Sequence, residues 1–395
     1  MRKTISILGS TGSIGLNTLH IVRKKKKLFK INLLAANKNY KLICNQINEF
    51  KPKIFIVSDL KVFKKVKKNI KHKKTKIFYS FNFPKKILIP SDVCVAAIPG
   101  IAGLNPTVLL IEKSKKLLIA NKESIICGWD IIKKLSSKFK TKIIPIDSEH
   151  FSIMKLLENQ KLSSIKKIYL TASGGPFLNY NPTKLKNVKP KEAIKHPKWK
   201  MGKKISIDSS NLMNKLLELI EAQKLFSIDL KKLDIVIHPE SLVHAIIELK
   251  NGLFKFIYHE TTMVIPLANA IFDDKIEISD FIKPKLNKKN SFFFNNLNFL
   301  NVDKQKFPLI KLKKRLNEHR STPIIINAVN EILVEQFLDK KISFNSFYRY
   351  LLLILNDRNY KKYAVKLPKN INQIYEIDIW SRNVMKNKIL RNSNA

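Results

Sequence analysis

Glycine is scarce in this chain of 395 residues, with 10 in all where an average usage of about 7% would give roughly thirty. That excludes a collagen-like or Gly-rich low-complexity chain, and makes each glycine a candidate for a backbone requirement. Cysteine is scarcer: Cys44, Cys94 and Cys127 stand alone, without C-x-x-C spacing. Their isolation excludes a disulfide scaffold and a thiolate zinc site, and points to a reducing cytoplasm. No apolar run approaches the roughly 18 residues of a membrane span, so no membrane partner is expected. Met1-Arg2-Lys3 leads straight into Thr4 to Leu8, too short an apolar stretch for a secretory signal and unlike a transit peptide. The fold is therefore expected to begin at once.

Arginine is the third shortage. Basic residues number 75 against 30 acidic ones, for a formal net charge of +45, yet only eight of the 75 are arginine and 67 are lysine. Nucleic-acid recognition favours the planar guanidinium fork, which this chain hardly uses. The lysines travel with Asn, Ile and Phe, all with A/T-rich codons. A bacterial genome of drifted base composition therefore explains the surface, and no specific nucleic-acid partner is expected. Runs such as Lys24 to Lys27 are then solvated faces.

What the chain does have is core-forming material, with 45% of residues hydrophobic and 27% charged. At roughly 150 residues per domain the length suggests two or three domains. Short β-type runs at Thr4 to Leu8, Ile31 to Ala36, Ile54 to Val57, Val93 to Ile98, Leu117 to Ala120 and Ile143 to Ile146 are separated by helical or polar segments. This alternation predicts an α/β fold with a Rossmann-like, doubly wound parallel sheet over residues 1–150. Residues 151–272 read as a central α+β catalytic domain, with strands at Ile168 to Ala172, Ile235 to Ile237, Ala245 to Leu249 and Leu253 to Tyr258. A helix is expected from about Ser210 to Leu225. The polar, Asn- and Lys-rich stretch 273–300 reads as a linker. Helical patterns at 308–318, 322–339, 343–356 and 373–387 predict a small helical C-terminal domain over 301–395.

Three of the few glycines, Gly9, Gly12 and Gly15, fall between the first strand and the first helix. Their G-x-x-G-x-x-G spacing is a variant of the dinucleotide fingerprint, in which the backbone approaches a pyrophosphate and the helix N-terminus faces its charge. A glycine turn that merely packs strand on helix is the competing reading. After the second strand, where an NAD site places an acid on the ribose, the chain has Ala36-Asn37-Lys38-Asn39, which favours NADP.

Asp147-Ser148-Glu149 closes another strand. In an extended segment its two carboxylates point the same way, and all-oxygen ligation suits Mg²⁺ or Mn²⁺. A solvated carboxylate pair would look the same. A third acid strengthens the metal reading: Asn214, Lys215 and Glu218 share one helical face, where Ser209 and the helix N-terminus can hold a phosphate and Glu218 can reach a metal. A surface pair of Lys215 and Glu218 is the alternative. The loop His196-Pro197-Lys198-Trp199-Lys200-Met201-Gly202 suggests a lid that excludes water, against a packed Trp. Ser173-Gly174-Gly175 offers a second anion-binding turn. His238-Pro239-Glu240-Ser241 and His244 surround a strand end, where a structural histidine is the more usual reading.

With these pieces in order, the sequence resembles the 1-deoxy-D-xylulose 5-phosphate reductoisomerases. The matching segments are GSTGSIG (9–15), AIPGIAGL (97–104), ANKES (120–124), PIDSEH (145–150), TASGGPF (171–177), HPKWKMG (196–202), IDSSNLMNKLLELIEA (207–222) and IHPESLVH (237–244). The resemblance implies an NADPH- and divalent-metal-dependent enzyme that rearranges and reduces 1-deoxy-D-xylulose 5-phosphate to 2-C-methyl-D-erythritol 4-phosphate, the committed step of non-mevalonate isoprenoid synthesis, and a homodimer. It implies Mg²⁺ or Mn²⁺ on Asp147, Glu149 and Glu218, and catalytic roles for Lys122, Glu149, His196 and His244. Substrate contacts fall to Lys122, Ser148, Glu149, Ser173, His196, Ser209, Asn214, Lys215 and Glu218, with Trp199 and Met201 on the lid. Cofactor contacts fall to Ser10, Thr11, Gly12, Ser13, Ile14, Asn37, Lys38, Asn39, Asn121, Glu123 and Gly202. Two departures stand out: Asn37 occupies a position usually glycine, and Glu240 replaces a usual glutamine, adding a negative charge near the site. A semialdehyde dehydrogenase would share the glycine turn but would need a thiolate such as Cys127, for which the sequence offers no activating histidine.

Overall fold

Strands built on short continuous apolar runs need cover on both faces, and amphipathic helices supply it when the two alternate. The computed structural model describes residues 2–70, 74–81, 87–199, 201–282 and 297–393. Its first stretch runs β1 (Lys3–Leu8), α1 (Ser13–Lys24), β2 (Phe29–Ala36), α2 (Tyr40–Phe50), β3 (Ile54–Val57), α3 (Leu60–Asn69), β4 (Lys76–Tyr79), β5 (Ser91–Ala96), α4 (Leu104–Ile111), β6 (Ser114–Ile119), α5 (Lys122–Phe139) and β7 (Lys142–Pro145). There follow α6 (Ser148–Leu157), β8 (Ile165–Ala172), α7 (Pro190–Ala193), α8 (Lys203–Ser210), α9 (Met213–Phe226), β9 (Leu233–Ile237), β10 (Val243–Leu249), β11 (Phe254–Tyr258) and α10 (Val264–Phe272). The C-terminal stretch carries α11 (Thr322–Leu338), α12 (Ser346–Leu355), α13 (Tyr360–Ala364) and α14 (Ile371–Ser393).

The chain forms two units. The first takes the described residues of 1–124, 129–151 and 262–293; the second takes those of 125–128, 152–261 and 294–395. In the first, seven parallel strands stand in the order β4-β3-β2-β1-β5-β6-β7. Strand β1 lies at the centre, its Ile5 paired with Ile31 of β2 and Val93 of β5. The strand order reverses at β1, and such a switch point is where open α/β sheets bind ligands. The doubly wound sheet expected from the alternation is present. Edge strand β4, Lys76-Ile77-Phe78-Tyr79, was not foreseen; it is four residues long, exposed at both ends and half-buried between them.

The second unit holds a mixed sheet in the order β11-β10-β8-β9, with β8 parallel to β9 and antiparallel to β10. Helix α9 is buried from Met213 through Ala222. The C-terminal helices belong to this same unit rather than to a separate domain over 301–395. Asn330 on α11 donates to the buried carboxylate of Asp208 on α8 at 2.8 Å, which fastens one to the other. The stretch expected to be helical over 308–318 is a 3-10 helix at Pro308–Arg315.

The boundary expected at 272 also moves. Helix α10 is apolar and mostly buried, and returns to the first unit, where it packs on α1. Its C-terminal carbonyls are taken by lysines: Lys3 Nζ donates to Ile271 O at 3.2 Å and Lys116 Nζ to Ala270 O at 2.8 Å. Cations at a helix C-terminus satisfy orphan carbonyls and complement the dipole. Within the linker expected over 273–300, residues 283–296 lie outside the described residues. Among the described residues no helix is long and apolar enough to cross a membrane.

Gly9 ends β1 with φ +82°, and a Cβ there would stand 2.4 Å from Ala97 O; a Cβ on Gly15 would stand 2.4 Å from Gly9 O. The turn therefore tolerates no side chain at either position. Gly9→Ala is expected to lower unfolding free energy by roughly 2 to 4 kcal/mol. Urea denaturation measures it, and a loss below about 0.5 kcal/mol would contradict the packing described.

Candidate active site

The first unit supplies a glycine turn and a carboxylate pair. Gly12 caps α1 without a side-chain hydrogen bond, so the first-turn N–H groups remain available to an anion. Gly12 and Ser13 are exposed, and Thr11 and Ile14 half-buried, around that terminus. Ser10 differs: its buried hydroxyl donates to Gln46 Oε1 at 2.7 Å, and Gln46 Nε2 donates back to Ser10 O at 2.9 Å. The Ser10 side chain thus braces the turn, a role invisible without Gln46 on α2. Beyond β2, Asn37 and Lys38 are exposed, and Asn39 caps α2 by accepting from Leu42 N. Asn121 caps α5 by accepting from Ser124 N at 2.8 Å, while its amide donates to Gly100 O and to Glu123 Oε2. A Cβ on Gly103 would stand 2.3 Å from Ile98 O, so the loop after β5 lies close against its own backbone.

Asp147 follows β7, but the expected extended path through Asp147-Ser148-Glu149 is not what brings the acids together. Helix α6 begins at Ser148, which places Glu149 in its first turn, where the helix dipole favours negative charge. Ser148 Oγ donates to Glu149 Oε2 at 2.5 Å. Asp147 and Glu149 offer carboxylate oxygens within 4.8 Å of one another. Lys122, buried at the start of α5, places Nζ 3.2 Å from Asp147 Oδ2. His150 is fully buried with Nδ1 4.0 Å from Asp147 Oδ1. His150, in the PIDSEH segment, stands i, i+3 from Asp147, the spacing that brings a helical side chain back to the carboxylate. The donors are hard oxygens, the type that suits Mg²⁺ or Mn²⁺.

The second unit brings its predicted residues together through two features. The first is α9. Its N-terminus lies at Met213 rather than at Ser210, because Leu212 adopts a left-handed conformation and Asn211 Oδ1 accepts from Met213 N at 2.9 Å. Ser209 therefore sits in the last turn of α8, not at the start of the next helix. Lys215 and Glu218 are no surface pair: their side chains are 7% and 1% exposed, with Nζ 2.7 Å from Oε2. Asn214 Nδ2 donates to the other oxygen of Glu218.

The second feature is Gly175, with φ +65° and a virtual Cβ 2.9 Å from Ser210 Cα and 3.0 Å from Ser209 O. Its lack of a side chain lets the Ser173 turn close on Ser209. Ser173 Oγ accepts from Gly175 N at 3.1 Å and lies 2.9 Å from His196 Nε2. His196 Nδ1 accepts from the backbone N–H groups of Lys198 and Trp199 at 3.1 and 2.9 Å. A ring nitrogen that accepts twice carries no proton, so neutral His196 bears its hydrogen on Nε2 and donates to Ser173. This histidine ties the start of the 196–202 loop to the anion-binding turn. Trp199 is half-buried, its ring edge-on to His244 at 6.1 Å and 71°. Gly202 caps α8 with ordinary extended geometry and open space where a Cβ would be, so nothing in the fold requires glycine there.

Glu240 does not add a free charge. It accepts from Asn298 Nδ2 at 2.7 Å and lies 3.0 Å from His238 Nδ1, which holds residue 298 beside the end of β9. Cys127 is buried in α5 and not presented as a nucleophile.

Burial, reinforced by the charge of Lys215, pushes the His196 imidazole down to about 4 from 6.5. A depressed histidine gives stability that is complete above the unfolded value and is lost as pH falls through the folded one. Unfolding free energy is therefore expected to fall on acidification from about pH 6.5 toward 4, with a shallower slope in His196→Asn. Urea titrations across that window check it; an unchanged slope in the variant would remove His196 as the source.

Three family models match: 1-deoxy-D-xylulose 5-phosphate reductoisomerase over residues 5–128, its C-terminal domain over 143–226, and a DXP reductoisomerase C-terminal domain over 260–384. The 1-deoxy-D-xylulose 5-phosphate reductoisomerase of Pelagibacter ubique is 44% identical over 382 residues, covering 95% of this chain and 97% of the relative. That of a Wolbachia from Drosophila simulans is 40% identical, covering 87% of each chain. A crystal structure of DOX-P reductoisomerase in complex with NADPH, fosmidomycin and magnesium superposes with a TM-score of 0.89 at 32% identity, covering 98% of both chains. The Zymomonas mobilis enzyme in complex with NADPH gives 0.86 at 28% identity, covering 98% of this chain and 99% of that one. Full-length similarity at this level, over both the glycine turn and the carboxylate-bearing segments, places the chain in the 1-deoxy-D-xylulose 5-phosphate reductoisomerase family.

Proposed function

We propose that this protein converts 1-deoxy-D-xylulose 5-phosphate to 2-C-methyl-D-erythritol 4-phosphate with NADPH and one divalent cation. The observation that carries the chemistry is the carboxylate pair of Asp147 and Glu149 after β7, with Lys122 against it, in a chain matched along its length by that family. Asp147, Glu149 and Glu218 would hold the cation, and their oxygen donors fit it. When bound, such a cation polarises substrate oxygens as a Lewis acid, and NADPH supplies hydride.

The chain's own residues bind, orient and exclude water. Thr11, Gly12, Ser13 and Ile14 meet the cofactor's pyrophosphate at the α1 terminus, on a turn that Ser10 braces through Gln46; Asn37, Lys38 and Asn39 serve the ribose end, and Asn121, Glu123 and Gly202 the remainder. Ser173, Ser209, Asn214 and Lys215 hold the substrate phosphate, and His196 joins them as an Nε2–H donor. Lys122 and Ser148 orient the reacting oxygens, with the ammonium of Lys122 placed to hold a developing negative charge. His244 completes the catalytic set, and Trp199 and Met201 close over the site.

An NADPH-oxidation assay with this substrate is expected to proceed with Mg²⁺ or Mn²⁺ and to stop after EDTA treatment. Glu149→Gln is expected to lower turnover by more than about a hundredfold, with an unchanged circular-dichroism spectrum. Full activity in metal-free protein, or near-wild-type turnover in the variant, would contradict the mechanism.

The chain is also proposed to act as a homodimer in the bacterial cytoplasm. Supporting the dimer, edge strand β11 and its turn expose Leu253, Phe254 and Phe256, the apolar edge that monomers avoid. Light scattering on the purified protein should give twice the 45.7 kDa chain mass; Phe254→Lys with Phe256→Lys should lower it, and a wild-type monomer would rule the dimer out.

A further inference from the structure

His259 belongs to none of the motifs above and stands one residue beyond the end of β11. Strand β10 pairs with β11 through Val243↔Tyr258 and Ala245↔Ile257, so His244 is the extra residue at a slip in register. A bulge of this kind re-aims the side chain it carries. His259 N donates to Leu242 O at 2.9 Å, extending the pairing past the slip and setting His259 beside it. The two imidazoles consequently stack, with centroids 3.8 Å apart and planes 16° from parallel. Both residues are buried.

The hydrogen bonds fix both tautomers. His244 Nε2 lies 3.2 Å from His259 O, and a carbonyl only accepts, so that Nε2 carries a hydrogen and neutral His244 keeps its lone pair on Nδ1. His259 Nδ1 lies 2.8 Å from Glu260 O and donates to it. Its Nε2 is buried without a hydrogen-bond partner among the described residues. Burial lowers the His259 pKa, against a smaller opposing effect of the Glu260 carbonyl, so protonation of this ring against His244 is disfavoured.

We propose that His259 is a positioning residue for the reaction: its ring supports His244 from one side, fixes the plane of that imidazole, and so sets the surface on which Trp199 closes. The proposal rests on the reading that His244 serves the active site. It acts by stacking, since the carbonyl that sets the His244 tautomer belongs to the backbone and survives any substitution at 259.

A double-mutant cycle tests it. His259→Ala is expected to lower kcat about tenfold, the scale of a lost aromatic pair, with the KM for NADPH unchanged. His259→Phe keeps a stacking ring and should stay within about twofold of wild type. In a His244→Gln background, His259→Ala should cost less than about twofold, because the effect passes through His244. Additive losses, or a His259→Phe as poor as His259→Ala, would overturn the proposal. Full activity of His244→Gln alone would instead remove the reading beneath it. Should the alanine variant not fold, ¹⁵N-histidine spectra of the wild-type protein serve: His244 protonated on Nε2 and His259 on Nδ1 support the arrangement, and the opposite His244 tautomer overturns it.

Discussion

The desolvated pair of Lys215 and Glu218 governs the second unit. Removing an ammonium and a carboxylate from water costs several kcal/mol per ion, and mutual attraction offsets this only where geometry is good and remaining donors and acceptors are used. Here Lys215 takes one oxygen of Glu218 and Asn214 the other. Such an arrangement survives only inside a rigid surround. Helix α9 has one: it packs on β8 and β9, and apolar Met213, Leu216, Leu217, Leu219 and Ile220 alternate with the polar residues and are buried with them. A helix buried all round, yet carrying charge, has its polar groups for a purpose other than stability.

The first unit meets a different constraint, the contact of bare backbone with bare backbone. Gly9 and Gly15 bring β1, α1 and the segment after β5 within a distance that no side chain could enter. In the second unit Gly175 does the same for the Ser173 turn and the end of α8. With Gly103, whose Cβ would meet Ile98 O, four of the ten glycines thus explain themselves by close backbone approach, which is why their scarcity elsewhere made them informative. The lysine excess, by contrast, is spread over exposed positions, and many of the acids serve as local partners for it, as Asp92 does for Lys115 and Glu248 for Lys166.

Strands with a continuous apolar run, such as β3 throughout and β2 from Leu33 to Ala36, were legible because burial on both faces leaves such a run, and the glycine turn because its spacing follows from geometry. Strand β4 left a weaker signal, because at the sheet edge only its two central residues are even half-buried. The break between α8 and α9 escaped notice because Asn211 and Leu212 fit a helical pattern; Leu212 is an apolar residue in a left-handed conformation, which sequence periodicity does not register. Asp147 and Glu149 were correctly paired for a mistaken geometric reason, the strand ending one residue earlier than assumed. His259 left no trace, for its significance comes from a register slip in the neighbouring strand. Interactions between residues far apart in sequence, such as Ser10 with Gln46 and Asp208 with Asn330, belong to the same class.

The return of α10 to the first sheet has a consequence for how the chain folds. Lys3, within β1, donates to Ile271, a partner 268 residues away. During synthesis the N-terminal strands and helices emerge first, yet the helix that covers α1 arrives only after the whole second sheet has been made. Apolar surface on α1 must therefore wait, exposed, while later segments form, and contacts of such high sequence separation are slow to close. The first unit thus begins translation first, yet it stays incomplete until α10 has followed the whole second sheet out of the ribosome.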